Sequence, residues 1–485
     1  MTTEKKNYTL PIIVMFALFF MIAFVTNFAG SMGVIVKEQF EASPAMAQLG
    51  TLANFIAYAC MGIPAGIILK RKGYKFTSSL AVTVGFVGVG IQFLSGYAES
   101  FGVYVLGAFV AGFSMCLLNI VVNPMLNTLG GGGNKGNQLI QLGGSLNSIG
   151  GTIAPILLGY LIGGQVETAT VSDAAPAMII AMAIFALAFV IIRLTNIPEP
   201  HMESAEERAA RKAGNIAKDK YSPLSFRHFV LGAVAIFFYV GIEVGIPNIA
   251  NLYMTTPTEQ GAEETIATYE LQQADPELLA SLEAEDEANK ETEDYVNKVV
   301  SEKAYNTAKD VADGKEKAGR GMAASTAGTL VGIYWFLMMV GRLIGGVIGG
   351  RVSSKAMLTT ASGVAMLLVA AFIFIPQSAV INIPFINDAV PGGIAVLFLC
   401  GLCTSVMWGG IFNLAAEGLG KYTAAASGIF MALVCGGGVI PFLQGLLVDY
   451  TSYLGSYWLI FACLGFLLFY ALVGSKNVNK DIPTE

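Results

Sequence analysis

Apolar residues in this chain come in blocks of a length that a lipid bilayer selects. Crossing roughly 30 Å of hydrocarbon takes about 20 residues at 1.5 Å per residue. About twelve such blocks are present, at 10–34, 47–69, 77–97, 102–127, 138–163, 174–194, 228–253, 326–350, 356–376, 391–415, 423–448 and 454–474. Only 13% of the 485 residues are charged and 54% are hydrophobic, against about 25% charged in a soluble globular chain. An all-α membrane protein of twelve transmembrane helices is expected. The first block has no small-residue cleavage site after it, so it reads as a helix that stays rather than a removed signal peptide.

Short-loop cations set the expected orientation. Lys5 and Lys6 precede the first block. Lys70, Arg71, Lys72 and Lys75 lie between the second and third, and Lys135 follows the fourth. The 195–227 stretch holds Arg208, Arg211, Lys212, Lys218, Lys220 and Arg227; Arg351, Lys355, Lys421, Lys476 and Lys480 follow further on. With twelve helices all of these fall on one side, and the other side's short loops offer only Lys37. The expectation is a multi-pass protein of a bacterial inner membrane with both termini cytoplasmic.

Several chemistries are disfavoured. The two histidines, His201 and His228, sit in a linker and at a helix start, and no Ser-His-Asp set, metal cluster or phosphate loop can be assembled. Cys60, Cys116, Cys400, Cys403, Cys435 and Cys463 all lie in membrane blocks. The Cys400-x-x-Cys403 pair has no second pair and reads as helix packing rather than a zinc or redox site. Gly130 to Gly133 follows a membrane helix, not a strand, so it is a turn and not a nucleotide cradle. The net charge of −6 carries no nucleic-acid signal. No enzyme, cofactor or metal is expected.

The organisation is two halves and one insertion: a six-helix bundle at 1–194, a cytoplasmic linker at 195–227, a second bundle at 228–475 and a tail at 476–485. The linker's Glu-Glu-Arg-Ala-Ala-Arg-Lys run suits a short amphipathic helix on the membrane surface. Pro155-x-Leu157-x-Gly159 in the first half matches Pro441-x-Leu443-x-Gly445 in the second. Gly62 to Lys70 and Gly341 to Arg351 repeat at a similar offset of roughly 280 residues, as one duplication of a transporter half would produce. Residues 255–325 break the symmetry. They hold about half of the chain's 34 acidic residues and lie on the outer side. Sparse apolar residues there (Leu278, Leu279, Leu282, Tyr295, Val299) suggest short helices, and a solvated cap with no transport role is the expected reading of the segment.

Polar residues recur at membrane depth: Asn27, Asn54, Gln92, Asn119, Asn123, Gln141, Asn147, Asn248, Asn413 and Gln444. A buried amide without a partner costs several kcal/mol, so each either joins helices or faces a wet cavity. A cavity lined by amides suits a neutral, hydroxyl-rich solute, since each amide offers donors and an acceptor. Tyr239, Trp335 and Trp408 could add apolar faces for a sugar ring. Of the acids, Glu243 lies in mid-block while Glu417 and Asp449 lie near helix ends; Arg342 is the matching cation. An ionisable group at membrane depth is a functional hypothesis, with a structural Glu243–Arg342 ion pair as the competing reading.

Asn119-Ile-Val-Val-Asn123-Pro124, then Leu129-Gly130, then Ser145-Leu-Asn147-Ser148-x-Gly150, resembles the fucose–galactose–glucose permease family of the major facilitator superfamily. Further matching stretches are Pro64-Ala-Gly66-x-x-x-Lys70-Arg-x-Gly73-Tyr74-Lys75, Tyr239-Val-Gly241-x-Glu243-Val244, Gly341-Arg342, Glu417-Gly-Leu-Gly420-Lys421-x-Thr423 and Pro441-x-x-Gln444-Gly445. The resemblance covers nearly the whole chain except the insertion. It implies the major facilitator fold and inward transport of a monosaccharide, usually with protons, and makes Asn27, Asn119, Gln141 and Asn147 sugar ligands. It also makes Asn123-Pro124 a helix break beside the cavity. The chain departs from the pattern in its acids: fucose-type members carry one where Asn119 stands, and the family has one in the first helix, where Ala23 to Gly33 has none.

The expectation is therefore a secondary transporter taking up a sugar (fucose, glucose, galactose or a related hexose or amino sugar) by alternating access. Substrate ligands are Asn27, Asn119, Gln141, Asn147, Tyr239, Trp335, Trp408 and Asn413. Glu243 and Arg342 serve coupling to a proton or sodium ion. An uncoupled facilitator and a transporter-like sugar sensor are the alternatives; a sensor should carry a long signalling tail, and 475–485 is short. The partners are a sugar, a coupling ion and the bilayer, with no nucleic acid, and the chain is expected to act as a monomer.

Overall fold

The computed structural model describes residues 8–130, 133–162, 169–199, 221–289, 299–348, 351–384, 386, 389–479 and 481–483. Among the described residues, eleven helices are long and apolar enough to cross a membrane. One of them, Leu49–Ala98, is 50 residues long and changes direction at Gly73, where φ is +82°, so it supplies two spans and makes twelve in all. The spans in chain order are Thr9–Gln39, the two parts of Leu49–Ala98 on either side of Gly73, Phe101–Leu129, Gly133–Ile162, Ala175–Leu194, Arg227–Thr255, Ala324–Ile348, Ser354–Phe374, Gly392–Ala416, Ala425–Tyr450 and Tyr453–Gly474. A two-residue antiparallel pair, Val380–Ile381 with Val390–Pro391, precedes the tenth span.

The Gly73 bend has a local cause. Left-handed φ is open to glycine and strained for other residues. Just beyond the bend, Tyr74 N–H and Lys75 N–H both donate to the Glu199 carboxylate, the latter at 2.9 Å. The first amides of a helix have no intrahelical partner. Glu199, arriving from the end of the sixth span, supplies one, with charge that suits the positive helix terminus. A Cβ on Gly73 would run into that carboxylate.

The two halves meet along three pairs of spans: the fifth with the eighth, the second with the eleventh, and the first with the seventh. Small residues permit the approach. At Gly328 in the eighth span, the Pro155 carbonyl of the fifth occupies the space a side chain would take, the close backbone contact that small residues allow between membrane helices. The fourth span continues through Pro124 to Leu129 instead of breaking there. Side chains bond the backbone around the proline: Asn123 Nδ2 donates to the Asn119 carbonyl at 3.1 Å and Thr128 Oγ1 to the Pro124 carbonyl at 2.9 Å.

The amphipathic helix expected in the linker falls on 200–220, outside the described residues. The insertion is helical, with Glu259–Ala274, Pro276–Asn289 and Glu302–Ala312. The six cysteines are free thiols, and no group of potential metal ligands assembles among the described residues.

Candidate functional site

A cavity of about 1670 Å³ lies between the halves, larger than the roughly 300–1,000 Å³ of an ordinary small-molecule pocket. It reaches the surface where Lys70, Ser222 and Asn413, all exposed, line it together with Ser354. The opposite end is shut by bonds across the halves. Asn248 Nδ2 of the seventh span donates to Gln48 Oε1 at 3.1 Å and to Thr51 Oγ1 at 3.4 Å. Ser43 Oγ donates to Asp449 Oδ2 at 3.1 Å.

The N-terminal wall carries the amides. Asn27, Asn119, Asn123 and Asn147 all line the cavity, and each is oriented by a bond to backbone. Asn27 Nδ2 donates to the Ala23 carbonyl at 2.9 Å, Asn119 Nδ2 to the Met115 carbonyl at 3.1 Å, and Asn147 Nδ2 to the Phe19 carbonyl at 2.9 Å. The first two bonds reach back one turn along the same helix; the third ties the fifth span to the first. Asn119 Nδ2 also donates to the Tyr58 hydroxyl at 3.0 Å. An amide has two N–H groups and two acceptor sites on its oxygen. One N–H of Asn27 is committed, and among the described residues its remaining capacity faces no protein partner.

The C-terminal wall carries the rings. Tyr239 and Trp408 meet edge to face, with centroids 6.2 Å apart at 63°. Trp335, 4% exposed, stands against Tyr334 at 5.5 Å and 85°. It reaches Asn27 across Gly151, where an added Cβ would touch both the indole and the amide nitrogen. An amide from one half and an indole from the other thus converge on one spot. The Tyr239 hydroxyl is buried beside the carboxylate of Glu243, one turn further along the seventh span.

Arg342 ties the two walls together. Its Nη2 lies 3.4 Å from Glu243 Oε1, a pair within the C-terminal half, with both side chains largely buried. Its Nη1 donates to the Gly144 carbonyl at 2.6 Å and to Asn147 Oδ1 at 3.4 Å, both in the N-terminal half. The Tyr334 hydroxyl holds the Glu243 backbone carbonyl at 3.1 Å. One guanidinium therefore neutralises the mid-membrane acid and contacts a candidate sugar amide.

Of the residues singled out in the sequence, Asn27, Asn119, Asn147, Tyr239, Trp335, Trp408, Glu243 and Arg342 come together around the cavity. Asn413 lines its mouth, where it is exposed and donates to Ser354 Oγ at 3.4 Å. The side chain of Gln141 lies outside the described residues. Other membrane amides are helix joints. Asn54 Nδ2 donates to the Ala108 carbonyl at 3.2 Å within the first half, and Gln444 Nε2 to Ser456 Oγ at 3.4 Å within the second. Tyr58 and Thr26 also line the cavity without having been singled out, since an aromatic or a threonine in an apolar helix carries no periodic signal of its own.

Residues 14–268 match the family model described as Major Facilitator Superfamily. The chain belongs to the major facilitator superfamily. Among superfamily relatives, a protein of Brucella abortus named glucose/galactose transporter is 26% identical over 479 residues, covering 98% of this chain and 97% of its own length. The fold is that of a solved Escherichia coli fucose:proton symporter, with a TM-score of 0.59 at 18% identity over 97% of this chain and all of the other. A xylose transporter of the same bacterium, solved in an inward-open conformation, superposes with a TM-score of 0.62 at 9% identity, covering 96% of this chain and 95% of the other. At these identities the solved structures establish the twelve-helix architecture.

Proposed function

We propose that this superfamily member is a secondary transporter that takes up a hexose, of the glucose or galactose type, by alternating access. The observation that carries the reading is the cavity itself. Amides from one half (Asn27, Asn119, Asn147) face rings from the other (Tyr239, Trp335, Trp408). Amides match the donors and acceptors of sugar hydroxyls, and ring faces match the apolar face of a pyranose. The naming of the full-length Brucella relative directs the substrate class. Because the two walls belong to different halves, a rocking motion that exposes the site to the opposite side keeps it at the centre of the movement.

Both termini are cytoplasmic in this reading, the basic loops lie on the cytoplasmic face of an inner membrane, and the open mouth at Lys70 and Ser354 is an inward-facing state. The chain works as a monomer and as a carrier, not an enzyme. Coupling runs through Glu243, which would exchange a proton or stand beside a sodium ion. An uncoupled facilitator is the second reading, favoured by the Arg342 guanidinium that already neutralises Glu243.

Purified protein in liposomes, given a panel of labelled hexoses outside, with and without proton or sodium gradients, tests this. Saturable uptake of glucose or galactose is expected, driven above equilibrium by one of the gradients. Equilibration alone selects the facilitator, and no sugar-specific flux refutes the reading.

A further inference from the structure

The acidic insertion is not a detached cap. Helices Glu259–Ala274 and Glu302–Ala312 pack on each other through Ala262, Ala308 and Val311, with the Tyr269 and Tyr305 rings stacked at 4.6 Å. Its return segment is pinned to the end of the seventh span. The N–H groups of Gly319, Arg320, Gly321 and Met322 donate to the carbonyls of Pro257, Tyr253, Thr256 and Met254 at 2.7–2.9 Å. Arg320 Nη2 also donates to the Gln377 carbonyl at 3.2 Å. The module therefore moves with the C-terminal half.

Its other side touches the N-terminal half. A turn with Gly314 at φ +71° and a bond from Glu316 N–H to the Asp310 carbonyl at 2.9 Å place Glu316 against Lys37, and the two side chains form an ion pair. Lys37 is at the end of the first span. Its side chain is only 4% exposed and that of Glu316 18%. Glu38 Oε1 is a second partner of Lys37 at 3.3 Å, and Thr307 Oγ1 of the insertion donates to Glu38 Oε2 at 3.4 Å. These contacts sit at the shut end of the cavity, beyond Gln48–Asn248.

We infer that the insertion is an outer latch: Glu316 and Thr307 clasp Lys37 and Glu38 when the outer side is closed and release them when it opens. This rests on the alternating-access reading above. An exposed ion pair would matter little; this one is enclosed, and a contact made in only one of two states shifts their populations by its differential strength. Lys37 keeps Glu38, its neighbour on the same helix, in both states. Glu316 belongs to the other half and is the partner lost on opening. Lys37 and Glu316 are positioning residues for the conformational cycle, and they do not touch the sugar site.

The test reads outer accessibility directly. Ala45 is buried at the shut end, against Gly445 of the other half. An Ala45→Cys reporter in right-side-out vesicles is labelled with a membrane-impermeant maleimide, and the signal of the parent without the reporter is subtracted for the native cysteines. Glu316→Gln and Lys37→Met are each expected to raise labelling about threefold or more, and the exchange Lys37→Glu with Glu316→Lys to return it towards the parent. Unchanged labelling in both single variants, or an exchange that restores nothing, overturns the latch. Should those variants not reach the membrane, Glu38→Cys with Thr307→Cys decides: oxidation is expected to stop net uptake and a reductant to restore it, and full transport by the cross-linked chain overturns the latch. Labelling needs no sugar, so a chain with latch-dependent labelling but no hexose flux sinks the substrate reading and leaves the latch standing.

Discussion

Arg342 donates through Nη1 to the backbone carbonyl of Gly144 at 2.6 Å, a bond from the eighth span to the fifth and from one half to the other. The same guanidinium holds Glu243 at 3.4 Å. Whatever opens or closes the cavity must remake this junction, which links the membrane acid, a candidate sugar amide and the interface between halves.

Glu243→Gln is expected to abolish accumulation of sugar against a gradient and to leave counterflow exchange measurable, because the amide wall is intact. Reconstituted vesicles preloaded with unlabelled sugar give both readings. Loss of exchange together with accumulation would mean that the residue serves binding or folding instead. If the wild-type protein only equilibrates sugar, there is no coupling for Glu243 to carry and the residue is structural.

Removing one partner of the Glu243–Arg342 pair leaves the other charge uncompensated inside the membrane. Arg342→Met should therefore lower the Tm in detergent more than the double variant Glu243→Gln/Arg342→Met does. The double-mutant cycle is checked by thermal unfolding, and a double variant less stable than both singles would contradict a pairwise role.

Asn119→Ala and Asn147→Ala are each expected to weaken sugar binding by about 1–3 kcal/mol, the usual cost of leaving a buried partner unsatisfied. Asn147→Ala should also lower the Tm, because its Nδ2 bonds the Phe19 carbonyl of another span at 2.9 Å. Asn119→Ala should lower it too, since besides the local bond to Met115 it loses the bond to the Tyr58 hydroxyl of the second span at 3.0 Å. Equilibrium binding beside melting curves separates the effects. Normal affinity in both variants would make these amides helix joints.

The Tyr239 hydroxyl is buried in the cavity wall beside the Glu243 carboxylate, one turn on along the seventh span. Tyr239→Phe should lower sugar affinity with little change in Tm. A clear drop in Tm with unaltered affinity would show that the hydroxyl serves the protein rather than a ligand.

Glu199→Ala removes the acceptor for Tyr74 N–H and Lys75 N–H at the start of the third span. A loss of about 1 kcal/mol is expected, as for other helix N-termini deprived of a cap, with Glu199→Gln losing less. Calorimetric melting of the two variants checks the order.

Span number and the two six-helix halves were legible in the residues themselves. Each depends on quantities that add along the chain: the length of an apolar run, a repeated motif. The polar residues were legible only as a set. Asn54, Gln92 and Gln444 look no different in sequence from Asn27, Asn119 and Asn147, yet the first three lie buried within their own halves and the others line the cavity. Which face of a helix meets water is decided by its rotation against neighbouring spans, and an almost uniformly apolar helix records little of that rotation.

The sequence by itself determined that this chain is a twelve-span, two-half membrane protein with an acidic insertion, because hydrophobic length and charge are local properties that a bilayer reads directly. Only the tertiary structure decided that Arg342 bridges Glu243 to the opposite wall, that Asn27 meets Trp335 over Gly151, and that the insertion reaches Lys37. Each of these joins residues far apart in the chain, across an interface whose geometry is set by helix packing. No spacing rule along a sequence carries that information.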